Sequence, residues 1–331
     1  MIVNPVKKLA GFFLDFIYFN SIFHHMFRSR KQPESNYSAV FVNGTTLRVP
    51  LNADKPITEL AWPEFYDVGI NSYCAAACPF CYTDAKKSGI NFSEIIEKIY
   101  RFFGQMTPNQ RPFQVALGGS GESTAHPDFI NVLRSFHELS IVPNYTTNAM
   151  HITPELIAAT KEFCGGVAIS LHPHLEKVWR KALVTFKEAN IITNVHVIIS
   201  DKASIDKFAQ VYEEFKDTVE YFVLLPYMVT GRAPNVAIDY DYFEKALGTI
   251  KDHSKLAFGS NFYRFLKTSS NVKCSLYPPE IMSKYLIMDD RMSLYNNSFE
   301  MKPVGFTPGI GVELGKAADT EDLSVFQKTG S

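Results

Sequence analysis

The strongest constraint on this chain is an alternation of short apolar runs with helical stretches through its middle. Tyr66 to Ile70, Phe113 to Leu117, Val142 to Tyr145, Gly166 to Leu171, Thr193 to Ile199 and Tyr221 to Leu225 read as strands, being short and mostly apolar, with β-branched and aromatic residues. Between them, Ser93 to Met106, a stretch opened by Pro127, one capped by Thr153 with Pro154 at its first position, Lys177 to Ala189 and Ile205 to Phe215 read as helices. After the second strand the strand centres lie roughly 25 to 30 residues apart, about the length of a βαβ unit. Such alternation predicts a parallel sheet with right-handed crossovers, and six units are too few to close an eight-stranded barrel. In barrel-like sheets of this kind chemistry collects at the C-terminal ends of the strands.

The first strand runs into Cys74-Ala75-Ala76-Ala77-Cys78-Pro79-Phe80-Cys81, which holds three of the chain's five cysteines. Thiols packed this closely can curl around one soft metal centre, as thiolates do around iron-sulfur clusters. Three ligands leave one iron of a four-iron cluster open, and an open position separates a reactive metal site from a structural one. A zinc knot with Cys164 or Cys274 as fourth ligand is the other reading of the same residues.

Other strand ends carry small polar groups. The second ends in Gly118-Gly119-Ser120-Gly121-Glu122, the third in Thr146-Thr147-Asn148, the fourth in Ser170-Leu171-His172, and the sixth continues into Leu225-Pro226-Tyr227 and Gly231-Arg232-Ala233. Glycines let backbone approach a ligand closely, or simply form a tight turn. Ser, Thr and Asn can bind sugar hydroxyls, or cap helices and close turns.

The cysteine spacing, with Phe80 just before the last thiol, resembles the signature of the radical SAM enzymes, and the strand-end motifs follow in that family's order from Asp67 to Ala233. The resemblance implies a partial (β/α)6 TIM-like barrel over residues 61–235, preceded by an N-terminal helix and hairpin (1–60) and followed by a C-terminal extension (236–331). It implies one [4Fe-4S] cluster on Cys74, Cys78 and Cys81, whose open iron chelates S-adenosylmethionine. The reduced cluster would cleave that cofactor to a 5'-deoxyadenosyl radical, which takes hydrogen from substrate. Cofactor contacts then fall to Phe80, to Gly118, Gly119 and Ser120 for the amino group with Glu122 as polar anchor, and to Thr147, Asn148 and Ser170 near the nucleoside. Leu225 on the sixth strand joins them. Arg180 would pair with the carboxylate, or is a solvated helix-face arginine; His196 would lie near adenine, or is a core histidine. Arg232 would meet substrate or cofactor, or sits in a surface turn, while His172, His174 and Tyr227 lie where substrate is expected. A reductant such as flavodoxin or ferredoxin is implied.

Composition bounds the alternatives. With 46% apolar and 14% aromatic residues the chain is not disordered. A formal charge of -1 and the lack of any Lys/Arg run leave a nucleic-acid substrate unsupported. Three clustered and two lone cysteines do not form a disulfide framework, so a reducing cytoplasm is the expected setting. Leu9 to Phe27 is broken by Asp15, Asn20, His24 and His25, and reads as an amphipathic helix lying on the barrel, a partner protein or a membrane surface rather than spanning a bilayer. Arg28 to Asn36 reads as a polar link, and Asn43-Gly44 between Ala39 and Val49 as a hairpin turn. Farther on, Tyr242 to Ile250 reads as a helix, and Tyr285 to Met288, Asp289-Asp290 and Met292 to Tyr295 as strand, turn and strand. The extension faintly resembles that of peptide-modifying relatives with auxiliary clusters, but only Cys274 remains and Asn296 and Asn297 stand where a cysteine would be sought, so no auxiliary cluster is predicted. The tail Gly315 to Ser331 reads as polar and mobile. A radical enzyme acting on a peptide or small molecule leads; a non-catalytic protein with a metal-filled motif is the competing class.

Overall fold

The computed structural model describes residues 27–42, 44–236, 253–259 and 282–299, together with 243, 247, 248, 250, 303, 305 and 306. The segment 1–26, most of 237–252, Lys273-Cys274-Ser275 and the tail from Gly315 lie outside the described residues. No helix among the described residues is long and apolar enough to cross a membrane.

Strands β1 (Phe27–Gln32), β2 (Tyr37–Val42) and β3 (Thr45–Pro50) form an antiparallel sheet. Val42 pairs with Thr45 across a turn where Gly44 takes φ +82°, as the hairpin reading requires. The stretch expected to be a polar link is mostly β1, and its charges explain the difference. Arg30 is 1% exposed and donates to the carbonyls of Asn109, Pro63 and Trp62 at 3.0, 2.9 and 2.7 Å. Arg28 donates to Pro112 at 2.8 Å and Ser140 at 2.5 Å. The strand therefore alternates, but its inward residues Arg28, Arg30 and Gln32 are polar groups that satisfy backbone rather than apolar side chains, which conceals the period.

Those carbonyls lie just ahead of β4 (Phe65–Gly69), β5 (Gln114–Leu117) and β6 (Val142–Thr147), so the small sheet covers the N-terminal ends of the main one. Tyr37, Ala39 and Phe41 pack there with Leu60, Phe113, Val142 and Met282. Glu64 accepts from Tyr37 Oη at 2.5 Å and from Arg48 Nε at 2.7 Å.

The main sheet continues with β7 (Gly166–Ser170), β8 (Thr193–Ile199) and β9 (Phe222–Pro226), the crossovers being α1 (Ile95–Phe103), α2 (Phe129–Glu138), α3 (Pro154–Phe163), α4 (Glu176–Glu188) and α5 (Lys202–Phe215). β4 to β9 lie side by side in sequence order and parallel, as the alternation predicts. Two further parallel strands were not legible as such: β10 (Leu256–Phe258) extends the sheet beside β9, and β11 (Ser283–Ile287) pairs with β4 on its free side. β12 (Ser293–Tyr295) and β13 (Gly305–Phe306) follow antiparallel, so the sheet is an open, partial barrel with β10 and β13 at its edges.

One face of every central strand feeds the core beneath the helices: Tyr66, Val68, Val115, Leu117, Val167, Ile169, Val195, Val197, Phe222, Leu224 and Leu286 are buried there. Alternation sends Asp67, Ala116, Asn144, Thr146, Ser170, Asn194, His196 and Leu225 to the inner face. A parallel strand buried on both sides is usually apolar throughout, so this polar lining marks a surface kept for something other than packing.

Removing the Arg30 guanidinium takes the donor from the carbonyls of Pro63 and Asn109, while Trp62 O keeps its bond from Gln32 Nε2 at 2.7 Å. Arg30→Ala is expected to cost about 2 to 4 kcal/mol of stability, read as a lowered thermal midpoint, while Arg48→Lys, at a half-buried position, costs about 1 kcal/mol.

Candidate metal and cofactor site

The cysteine loop leaves β4 and is closed by its own backbone. Ser72 N–H donates to Ile90 O at 2.9 Å, Cys74 N–H to Lys86 O at 3.1 Å and Phe92 N–H to Ile70 O at 3.1 Å. Within it Ala77 takes φ 51°, a left-handed turn uncommon outside glycine, and Cys81 N–H donates to Cys78 O at 3.2 Å. The thiols are thus gathered by local backbone, and two of them meet another strand end. Asn148, after β6, stands 3.6 Å from Cys74 Sγ; His174, after β7, places Nε2 3.7 Å from Cys78 Sγ and 3.1 Å from Ala76 O. Cys81 Sγ lies 3.4 Å from Thr83 Oγ1, which donates to Ser120 O after β5 at 3.1 Å.

Burial raises the Cys74 thiol, and burial with the nearby Cys74 and Cys81 pushes Cys78 up to about 12. Ionising Cys74 and Cys78 therefore calls for a compensating cation. Among the described residues no three His, Cys, Asp or Glu side chains converge as ligands of a single ion. A tetrahedral zinc holds thiolates about 3.8 Å apart, from Zn–S bonds near 2.3 Å; a four-iron cube takes each thiolate on a different iron and needs a wider cradle. Three thiols on one short loop are a donor set that could carry such a cluster, one thiolate to each of three irons. Cys164, one of the two alternative fourth ligands, is half-buried between α3 and the start of β7, at the opposite end of the sheet, with its thiol raised by burial. Cys274 lies outside the described residues.

The glycine-rich turn after β5 is bound to the cysteine loop. Glu122 N–H donates to Tyr73 O at 2.8 Å, Ser120 Oγ to Asn71 O at 2.5 Å, and a Cβ on Gly121 would fall 2.6 Å from Tyr73 O. Gly119 has φ +80°, and a Cβ there would press 3.0 Å from the Tyr285 ring, whereas one on Gly118 meets nothing nearer than 3.7 Å. Glu122 is 4% exposed; its carboxylate accepts from Thr147 Oγ1 at 2.7 Å, Thr124 Oγ1 at 2.6 Å and Asn148 N–H at 2.8 Å. Glu122, Thr147 and Asn148 therefore form one buried network.

Ser170, at the end of β7, pairs in register with His196, midway along β8. Burial holds His196 near 4, so the ring is neutral at neutral pH; burial and His174 do the same to His172, whose ring lies 5.5 Å from that of Phe80. Leu225 sits on the inner face of β9, against Gly259. Arg180 is not brought to this group: on α4 it donates to Glu176 at 2.8 Å, pairs with Glu214 of α5 and lies over the rings of Trp179 and Phe215.

Three residues escaped sequence reading. Asp67, a lone acid inside an apolar strand, stands on the inner face with its carboxyl raised by burial to about 7. Tyr285, its partner in register on β11, backs Gly119 and packs against Tyr295 with the rings tilted, their centroids 5.7 Å apart. Tyr82 packs on Phe299 at 4.7 Å and brings the segment after β12 onto the cysteine loop. Arg232 lies in a half-exposed turn with Gly231, as one of its two readings had it, and its side chain grips the cysteine loop, donating to Cys78 O at 2.9 Å.

A partial parallel barrel with a three-cysteine loop after its first core strand and a glycine-rich turn after its second is the fold that the resemblance to the radical SAM enzymes implies. Among solved structures, SuiB of Streptococcus suis bound to S-adenosylmethionine matches with TM-score 0.64 and 12% identity over 82% of this chain and 81% of that one. SuiB bound to precursor peptide SuiA matches at 0.58 and 15% over 73% of this chain, which spans 61% of that structure's chain. The protein anSMEcpe with bound AdoMet and Cp18Cys peptide matches at 0.50 and 14%, covering 74% and 77%. No family model and no curated protein matches the sequence.

Asp67 carries a pH signature. Its folded value of about 7 lies above the ordinary carboxyl range, so the folded state binds the extra proton, and stability falls as pH rises from about 4 through 7. Asp67→Asn is expected to be more stable than the parent at pH 8, by about 1 to 4 kcal/mol, with the difference vanishing below pH about 4 in denaturant titrations.

Proposed function

We propose that this protein is a radical SAM enzyme whose substrate is a peptide. One observation carries the reading: three thiols at the C-terminal end of a partial barrel are bound, backbone to backbone, to the glycine turn beside them. Cys74, Cys78 and Cys81 hold the cluster, and the exposed backbone of Gly118 and Gly119 with Ser120 takes the amino group of S-adenosylmethionine. When bound, the reduced cluster supplies the electron that splits this cofactor into methionine and a 5'-deoxyadenosyl radical. Thr147 and Glu122 fix the turn of Asn148, while Ser170, His196 and Leu225 line the inner face where a nucleoside and substrate would meet. The neutral His196 ring can accept or donate one hydrogen bond without placing a charge beside the radical. Arg180, already paired with two glutamates, is the weakest of the proposed cofactor contacts.

The peptide assignment rests on the fold neighbours SuiB and anSMEcpe, both captured with peptides. A small flavodoxin or ferredoxin would deliver the electron. A zinc knot finds no support in the placement of Cys164, and a nucleic-acid substrate none in the charge balance.

Anaerobic reconstitution with iron and sulfide, then dithionite and S-adenosylmethionine, tests the reading. About four irons per chain and 5'-deoxyadenosine by chromatography are expected, both lost in Cys78→Ala. Stoichiometric zinc with no nucleoside product overturns it.

A further inference from the structure

The segment after β9 returns to the cysteine loop and fastens on it at five points. Arg232 N–H donates to Cys81 O at 3.1 Å and Thr230 Oγ1 to Tyr82 O at 3.3 Å. The Arg232 guanidinium gives Nε to Cys78 O at 2.9 Å, Nη1 to Asp84 Oδ1 at 3.0 Å and Nη2 to Ala85 O at 2.5 Å. The approach is close enough to demand glycine before it: Gly231 has φ +60°, and a Cβ there would fall 2.4 Å from Tyr82 O and 2.7 Å from Cys81 O. The segment is itself anchored, because Tyr227 N–H donates to Ile199 O at 3.1 Å at the end of β8, and its hydroxyl to Pro234 O at 2.9 Å.

The acceptors matter more than their number. They run from Cys78 to Ala85 and so bracket Cys81, in a stretch without regular secondary structure whose thiols are turned by a left-handed Ala77. Left alone, such a stretch samples many conformers, and a metal that binds it must order it at the moment of binding. One planar fork that spans acceptors on both sides of Cys81 removes that freedom beforehand, which a single ammonium cannot do.

We infer that Arg232 is a positioning residue for the metal site, a latch that holds Cys78 and Cys81 in their ligating arrangement before any metal arrives. The inference rests on the reading of the three thiols as cluster ligands. It separates two roles that charge alone would merge, since Arg232→Lys keeps the cation and loses the fork, whereas Asp84→Asn loses the ion pair with an exposed partner and keeps the bonds to Cys78 and Ala85.

The test compares wild type, Arg232→Lys, Arg232→Gln and Asp84→Asn. Hydrogen exchange on the metal-free proteins is followed in peptides spanning residues 74–85; iron content and the low-temperature spin-resonance line shape are followed after reconstitution. Both Arg232 variants are expected to exchange about tenfold faster in the loop, as loss of one or two hydrogen bonds implies, with β5 to β8 unchanged. They load less iron and give a broadened spectrum, and Asp84→Asn stays near wild type. Loop exchange and loading equal to wild type in Arg232→Lys and Arg232→Gln overturn the latch. So does faster exchange spread over the whole sheet, which marks a general loss of stability. A wild type that takes up no iron overturns the cluster reading itself, and with it the purpose assigned to Arg232, and so is told apart from failure of the latch alone.

Discussion

The site depends on a buried, fully hydrogen-bonded carboxyl group. Glu122 receives three hydrogen bonds, from Thr124, Thr147 and the backbone of Asn148, and its own backbone is tied in both directions, N–H to Tyr73 O and carbonyl to Asn71 Nδ2. A buried charge without such partners would be costly. With them it becomes a junction joining the cysteine loop, the glycine turn and the Thr-Asn turn, the ends of three successive strands. Loosening it would move the thiols relative to the surface on which a nucleoside would rest.

Around that junction the barrel is asymmetric in what it is made of. Its N-terminal ends are sealed by arginines on carbonyls and by the aromatic contact of Phe41 with Phe113 at 5.3 Å. At the opposite end, the cysteine loop and the glycine turn are joined by hydrogen bonds, Glu122 N–H to Tyr73 O at 2.8 Å and Ser120 Oγ to Asn71 O at 2.5 Å. The inner face between the two ends is polar, with the neutral His196 on β8 and Asp67 on β4. Rigid scaffold below and hydrogen-bonded loops above is the division of labour expected of a site built on a parallel sheet.

Much of this was legible because it is local. Six strands and five helices followed from periodicity and caps, and Thr153 does cap α3 by accepting from Leu156 N–H at 3.2 Å. The three thiols, the glycine turn and Thr147-Asn148 declare themselves by residue type and order, and the structure brings them together. What was not legible depends on distant pairing. β1 hides its alternation behind Arg28 and Arg30, whose partners lie about 30 to 110 residues away. β11 is an ordinary short strand until it pairs with β4, and only that pairing makes Tyr285 the wall behind Gly119. Arg180 and Arg232 looked alike as helix-face or turn arginines; which one reaches the cysteine loop is decided by whether a glutamate or a row of unsatisfied carbonyls lies within its span.

The central claim is that the three-thiol cradle leaves one metal position open beside the glycine turn. The most direct measurement is electron-nuclear double resonance on the reduced, reconstituted protein with S-adenosylmethionine labelled with nitrogen-15 at its amino group. A changed g-tensor on adding the cofactor, with hyperfine coupling to the label, is the predicted result. A spectrum that is indifferent to the cofactor and shows no coupling would contradict the account.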